Sequence, residues 1–166
     1  MSTQFFGKYR GVVTDIKDPL QIGRVRAKVP DVLGDQESGW AMPCFPFAGS
    51  SMGFFALPKV KAGVWIEFEH GDPEYPIWAG CWYGGKSDVP PLLLTPPYKK
   101  MIIKTEGGTS ILLDDTPGIG GITLETAGGQ KIKILGTGIE IDNGKGAAMK
   151  MTGPQISMNN GALDVM

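Results

Sequence analysis

From residue 101 onward the chain repeats one unit, apolar-x-apolar followed by a glycine-bearing or polar turn. The pairs are Met101/Ile103, Ile111/Leu113, Ile122/Leu124, Ile132/Ile134, Ile139/Ile141, Met149/Met151, Ile156/Met158 and Leu163/Val165. Roughly eight units at spacings of about 7 to 11 residues are a repeat signature, one short strand per unit with both apolar side chains on the same face. Glycine pairs at 107, 120 and 128, together with Gly136, Gly138, Gly144, Gly146, Gly153 and Gly161, supply the turns.

The preceding residues follow a different rhythm. In RVRAKVP, Val25, Ala27 and Val29 alternate with Arg24, Arg26 and Lys28; in VWIEFE, Val64, Ile66 and Phe68 alternate with Trp65, Glu67 and Glu69. That is the two-residue period of half-buried strands. Asp18-Pro19, Gly34, Ala62-Gly63 and Gly71-Asp72-Pro73 mark turns between them. With YRGVVTDI, the WAMPCFPF region and PIWAGCWY, the pattern predicts five or six strands and no convincing helix. Strands this short expose fewer edges when closed, so the reading is a small antiparallel barrel of the OB-like Greek-key type, with a general sandwich as the alternative.

A break separates the two regimes. All seven Phe, four Trp and four Tyr lie at or before Tyr98. Around it runs VPPLLLTPPYKK, whose Pro90, Pro91, Pro96 and Pro97 favour a stiff extended segment. The organisation expected is an OB-fold domain over 1–90, a proline-rich linker over 91–100 and the repeat over 101–166.

A single copy of the repeat cannot hide its apolar pairs, because a lone meander leaves one face wet and its edges unpaired. Three copies wound about one axis solve both problems. Each short strand would pair with strands of neighbouring chains, and the pairs from Ile111/Leu113 to Leu163/Val165 would form a shared trimer core. The interior would be too narrow for rings, which fits the missing aromatics. The fold class expected is thus all-β, an OB barrel followed by an intertwined triple-stranded β-helix in a homotrimer. A disordered glycine-rich linker and a single-chain β-solenoid are the alternatives; regular Ile/Leu pairing is poor disorder composition.

Sixteen basic against 17 acidic side chains give a net charge of −1, so no global pull toward nucleic acid or anionic membrane exists. No apolar run approaches the 18 or so residues of a membrane span, and MSTQFFGKYR lacks the order of a signal peptide, so a protein made and kept soluble in the cytoplasm is expected. Cys44 and Cys81 read as two buried free thiols.

Candidate chemistry is thin. GCWYGGKS, residues 80–87, satisfies G-x-x-x-x-G-K-[ST], but DVPPLLLTPP follows where a phosphate-binding loop needs a helix, so a strand end and turn is expected. His70, the one histidine, has no nucleophile arranged with it and reads as a solvated turn residue. Asp114 and Asp115 read as turn formers. Arg24, Arg26 and Lys28 form a basic strand face of the kind OB barrels use for single strands, yet residues 1–98 hold nine basic and ten acidic residues. The reading is a non-enzyme with no cofactor, no metal and no nucleic acid; the alternatives are an OB-fold nucleic-acid binder or a small peptidoglycan hydrolase.

The stretches GKYRGVVTDIKDPLQIGRVRAKVPDV, SGWAMPCFPFAG and GFFALPKVKAGVWIEFEHGDPEYPIWAG, with ITLETAGGQKIKI and GIEIDNGKGAAMKM in the repeat, are similar to the spike proteins of contractile tails. These are the phage baseplate assembly protein V family and the equivalent part of valine-glycine repeat (VgrG) proteins. The resemblance implies an OB head, a triple-stranded needle, a trimeric baseplate hub at the OB end, and passage through the target cell envelope when a sheath contracts. Some members carry a lysozyme domain between barrel and needle; here only the proline segment stands there. Others bind iron through a His-x-His motif near the apex; His70 lies in the head, so the resemblance implies a separate PAAR-type cap at the C-terminal tip. It places the chain in a virion tail or an injection-system baseplate.

Overall fold

The computed structural model describes residues 3–165; residues 1, 2 and 166, at the ends of the two expected domains, lie outside the described residues. Residues up to Asp88 form one compact unit and residues from Val89 another.

In the first unit the strands are β1 (Tyr9–Asp15), β2 (Arg26–Lys28), β3 (Met42–Pro43), β4 (Ala48–Gly49), β5 (Met52–Gly53), β6 (Gly63–Phe68) and β7 (Pro76–Trp82). Five of them form a sheet in the order β2-β1-β6-β7-β3, while β4 and β5 make a separate small hairpin. Val25 and Ala41 exchange backbone hydrogen bonds of 3.2 and 2.8 Å, joining the approach to β2 with that to β3. Round the barrel the order is therefore β1-β2-β3-β7-β6, the closed Greek key expected from the sequence. An irregularity in the β1–β2 register between Val13 and Asp15 accompanies the bend that closure demands.

Alternation fixes which side chains fill the barrel. Val25, Ala27 and Val29 from one segment and Val64 and Ile66 from another are fully buried, with Val13, Ala41, Phe68 and Trp78 beside them. Gly11 admits this packing, since a Cβ there would stand 2.9 Å from Ile66 Cγ1. Trp78 sets its indole edge-on to Phe45, 5.4 Å between centroids, and its Nε1–H donates to the Gly23 carbonyl at 3.0 Å.

Several details depart from the sequence expectation. The β3–β7 pair is parallel, because the β4–β5 hairpin and β6 intervene and return the chain in the same direction. A one-turn helix, α1 (Pro30–Leu33), follows β2; Pro30 starts it with a preset φ, and Gly34 ends it at φ 60°. Cys44 and Cys81 are exposed rather than buried. Cys44 lies just past the two paired residues of β3, and Cys81 lies one residue from the end of β7, opposite Val64 and beyond the register shift that separates it from Trp78.

The loop between β1 and β2 is built around Asp18. Its carboxylate accepts backbone N–H bonds from Leu20, Ile22 and Arg24 at 2.9 to 3.2 Å, and Arg24 pairs with it at 2.7 Å, with the aspartate side chain only 3% exposed. The Arg24 hydrogen bond, reinforced by the three backbone donors, holds the Asp18 carboxyl well below the usual carboxylate range. A depressed folded-state pKa stabilises the fold above the ordinary carboxylate pKa of about 3.9, and that contribution disappears as pH falls further. Asp18→Asn is expected to lower the barrel's melting temperature at pH 7 and to flatten its dependence on pH below 4, as read by circular dichroism melts. Identical wild-type and variant melts across this range would refute the role given to the carboxylate.

The second unit consists of β8 (Lys100–Lys104), β9 (Ser110–Asp114), β10 (Gly121–Glu125), β11 (Lys131–Leu135), β12 (Gly138–Asp142), β13 (Ala148–Thr152), β14 (Gln155–Met158) and β15 (Leu163–Val165). They form one eight-stranded antiparallel meander in sequence order. The expected pairing of each strand with strands of neighbouring chains is corrected here: the ladder lies within one chain. The turns explain it. TEGGT, TAGGQ and NGKGA each close with a hydrogen bond from the N–H of the first residue to the carbonyl of the fifth, 2.9 to 3.0 Å long. In the second of them Gly129 takes φ 86°, a torsion that favours glycine. Immediate reversal costs less loop-closure entropy than reaching another molecule.

Candidate functional site

The eight strands of the meander carry their apolar residues in perfect register. Met101 faces Leu113, Leu113 faces Ile122, and the column continues through Ile134, Ile139, Met151 and Ile156 to Val165. A second column runs Ile103, Ile111, Leu124, Ile132, Ile141, Met149, Met158, Leu163. All fourteen residues expected in the trimer core thus stand on one face of one sheet. At a strand separation of about 4.8 Å the columns extend on the order of 35 Å.

This face is uncovered. Thirteen of its sixteen side chains are 37 to 69% exposed, and among the described residues no residue of the second unit is buried. The opposite face carries the charges. Lys131 pairs with Glu125 at 3.0 Å; Glu140 takes Lys133 at 3.4 Å and Lys150 at 2.9 Å; Lys100 reaches Asp114 at 3.7 Å. Lys150, and then Lys133, hold the Glu140 carboxyl below its ordinary value. Such solvent-facing pairs contribute little each, but they identify the side that stays wet. A sheet with one charged face and one continuous apolar face is half of an interior. The sequence reading did not single out the charged ladder, although its signal is present in KIKIL, GIEID and MKM.

The remaining candidates are structural. Residues 80–87 form the end of β7 and a turn, followed by a single 3-10 turn at Lys86–Asp88, and Asp88 accepts the Gly84 N–H at 2.9 Å. A carboxylate therefore occupies the amide that a phosphate would need. His70 sits at φ 53° in a turn with its side chain 91% exposed. Asp114 ends β9 and accepts the Thr116 N–H at 2.9 Å; Thr116, then Lys100, lower its pKa. Arg24 is held by Asp18 and lies over Trp40, and Arg26 lies over the same ring 5.0 Å from its centroid and reaches Glu37 at 4.0 Å. The two arginines of the basic strand face are thus engaged by the chain's own acids and aromatics. Among the described residues no three His, Cys, Asp or Glu side chains gather as a metal site, and no helix is long and apolar enough to cross a membrane.

Residues 9–83 match the model of the type VI secretion system/phage-baseplate injector OB domain, and residues 100–164 match the phage baseplate V C-terminal trimerisation domain. The chain belongs to the baseplate V family. The two models fall one in each compact unit, and the second coincides with the meander. Three relatives of this baseplate V chain place it beside VgrG proteins. It is 36% identical over 72 residues to the actin cross-linking toxin VgrG1 of Vibrio cholerae, covering 43% of this chain and 6% of the toxin. It is 33% identical over 89 residues to the type VI secretion system spike protein VgrG3 of Vibrio cholerae, 51% of this chain and 9% of that protein. It is 35% identical over 74 residues to the type VI secretion system spike protein VgrG5 of Pseudomonas aeruginosa, 42% of this chain and 9% of that protein. The baseplate V chain thus spans less than a tenth of the length of these relatives.

Proposed function

We propose that three copies of this chain form the central spike at the tip of a contractile tail or injection system, a structural rather than enzymatic part. The barrel, residues 1–90, seats on the baseplate hub; residues 91–100 link it to the needle at 101–166, whose C-terminal end takes a PAAR-type cap. The spike is assembled in the bacterial cytoplasm and is driven through the target cell envelope on contraction. One observation carries this reading: an unbroken two-column apolar face that no part of its own sheet covers. Three such faces turned toward one axis bury one another, and three charged faces turn outward. Each chain then supplies one wall of a prism. Load along the axis bears on stacked strands whose ladders and core are both complete, which suits a part that must penetrate without unfolding.

Light scattering after size exclusion tests this. Three times the 17.8 kDa chain mass is expected; a monomer with a folded tail would refute the arrangement. A titration with single-stranded DNA is expected to show no salt-dependent binding, and stoichiometric binding that weakens with salt would move the assignment to nucleic-acid recognition.

A further inference from the structure

The barrel carries an apolar surface of its own. Residues 38–58 contain no Asp, Glu, Lys or Arg. Within that stretch Phe47, Met52, Phe54 and Phe55 are 51 to 63% exposed, on and beside the β4–β5 hairpin. Leu20 and Ile22, 62 and 44% exposed, come from the β1–β2 loop, and Ile22 and Cys44 line the same groove of about 600 Å³ as Phe54 and Phe55. This surface is rigidly supported. Asp18 fixes the Leu20–Ile22 loop through three backbone hydrogen bonds, and Phe45 packs at a tilt against Phe55, 5.3 Å between centroids, and edge-on against Trp78. Gly23 passes so close that a Cβ would meet both phenyl rings at 3.1 Å. Exposed Phe and Met, absent charge and a held backbone are the composition of an interface centre.

We infer that this surface is covered by the barrels of the other two copies, which meet through their hairpins and β1–β2 loops. The tether selects the occupant. Six half-exposed side chains, at about 150–250 Å² for each large one, present roughly 500–800 Å², and a partner already held close can cover such a patch without high independent affinity. Residues 89–99 tether each barrel to its own needle and reach at most about 40 Å. A trimerised tail therefore holds the three barrels at effective concentrations near the millimolar range. The inference rests on the trimer proposed above.

Cys44 and Cys81, both exposed free thiols, provide the test. Cys44 lines the hairpin groove, whereas Cys81 belongs to a different cleft beside Trp82 and Lys61. In the purified full-length trimer, with no other protein present, a maleimide is expected to label Cys44 at least about tenfold more slowly than Cys81, relative to their rates in denaturant. Phe54→Asp, which alters only an exposed side chain, is expected to retain the trimer and bring the two rates within about threefold; Met52→Asp repeats the test should Phe54→Asp fail to fold. Equal labelling of Cys44 and Cys81 in the wild-type trimer would overturn the inference and leave the patch to another protein, with the spike reading intact. A monomer by light scattering would overturn both.

Discussion

Ile134→Asp is expected to leave the chain monomeric. Ile134 stands in the middle of the first column, between Ile122 and Ile139, so three copies would place three carboxylates beside the axis with apolar neighbours above and below. Burying an unpaired charge costs several kcal/mol even after relaxation, and like charges at one level of the axis add repulsion. The neighbouring position supplies the control. Lys133, one residue away, lies on the charged face and pairs with Glu140, so Lys133→Ala removes a half-exposed ion pair worth about 0–1 kcal/mol and is expected to keep the trimer. Light scattering on both variants distinguishes the two faces of the sheet. A stable Ile134→Asp trimer would mean that the columns do not face the axis, and dissociation by Lys133→Ala would mean that the sheet is turned the other way.

The sequence carries this much information because every strand of the meander alternates. In KIKIL the two isoleucines and the two lysines are assigned to opposite faces by parity alone, and the same holds at GIEID. What the pattern leaves open is the identity of the strand's hydrogen-bonding partner. Ile132 and Ile134 point to the same face whether the neighbouring strand belongs to the same chain or another. The deciding feature is turn geometry, and TEGGT, TAGGQ and NGKGA close on themselves through five-residue loops. In the barrel, the alternation of Val25, Ala27 and Val29 and of Val64, Ile66 and Phe68 located the core. It could not reveal that Met42–Pro43 would be the only part of the WAMPCFPF region in the main sheet, or that β3 runs parallel to β7, because two-residue ladders have no period. Asp18 read as part of a turn dipeptide. Its role as acceptor for a whole loop depends on Arg24, six residues on, and on burial that no local pattern encodes. The thiols were misjudged for the same reason: cysteine is usually buried, but Cys44 lies just past β3 and Cys81 one residue from the end of β7, and both are exposed there.

Trp78→Ala is expected to unfold the barrel while sparing the needle. The indole is 4% exposed, packs edge-on against Phe45 and donates to Gly23, so its removal opens a cavity where β7, the β1–β2 loop and the charge-free hairpin meet. Truncating a buried tryptophan costs about 3–5 kcal/mol, a large share of what a domain of this size has in reserve. The meander receives none of its strand pairing from the barrel, so its trimer should persist. Calorimetry is expected to show the barrel transition lowered or lost and a second, trimer-dependent transition unchanged. Cys44 should label freely in this variant although Phe54 is intact, because the Phe45–Phe55 contact that shapes the hairpin groove rests on Trp78. Loss of both transitions in one step would show that the needle depends on the barrel. The apolar columns would then be insufficient to hold three chains together.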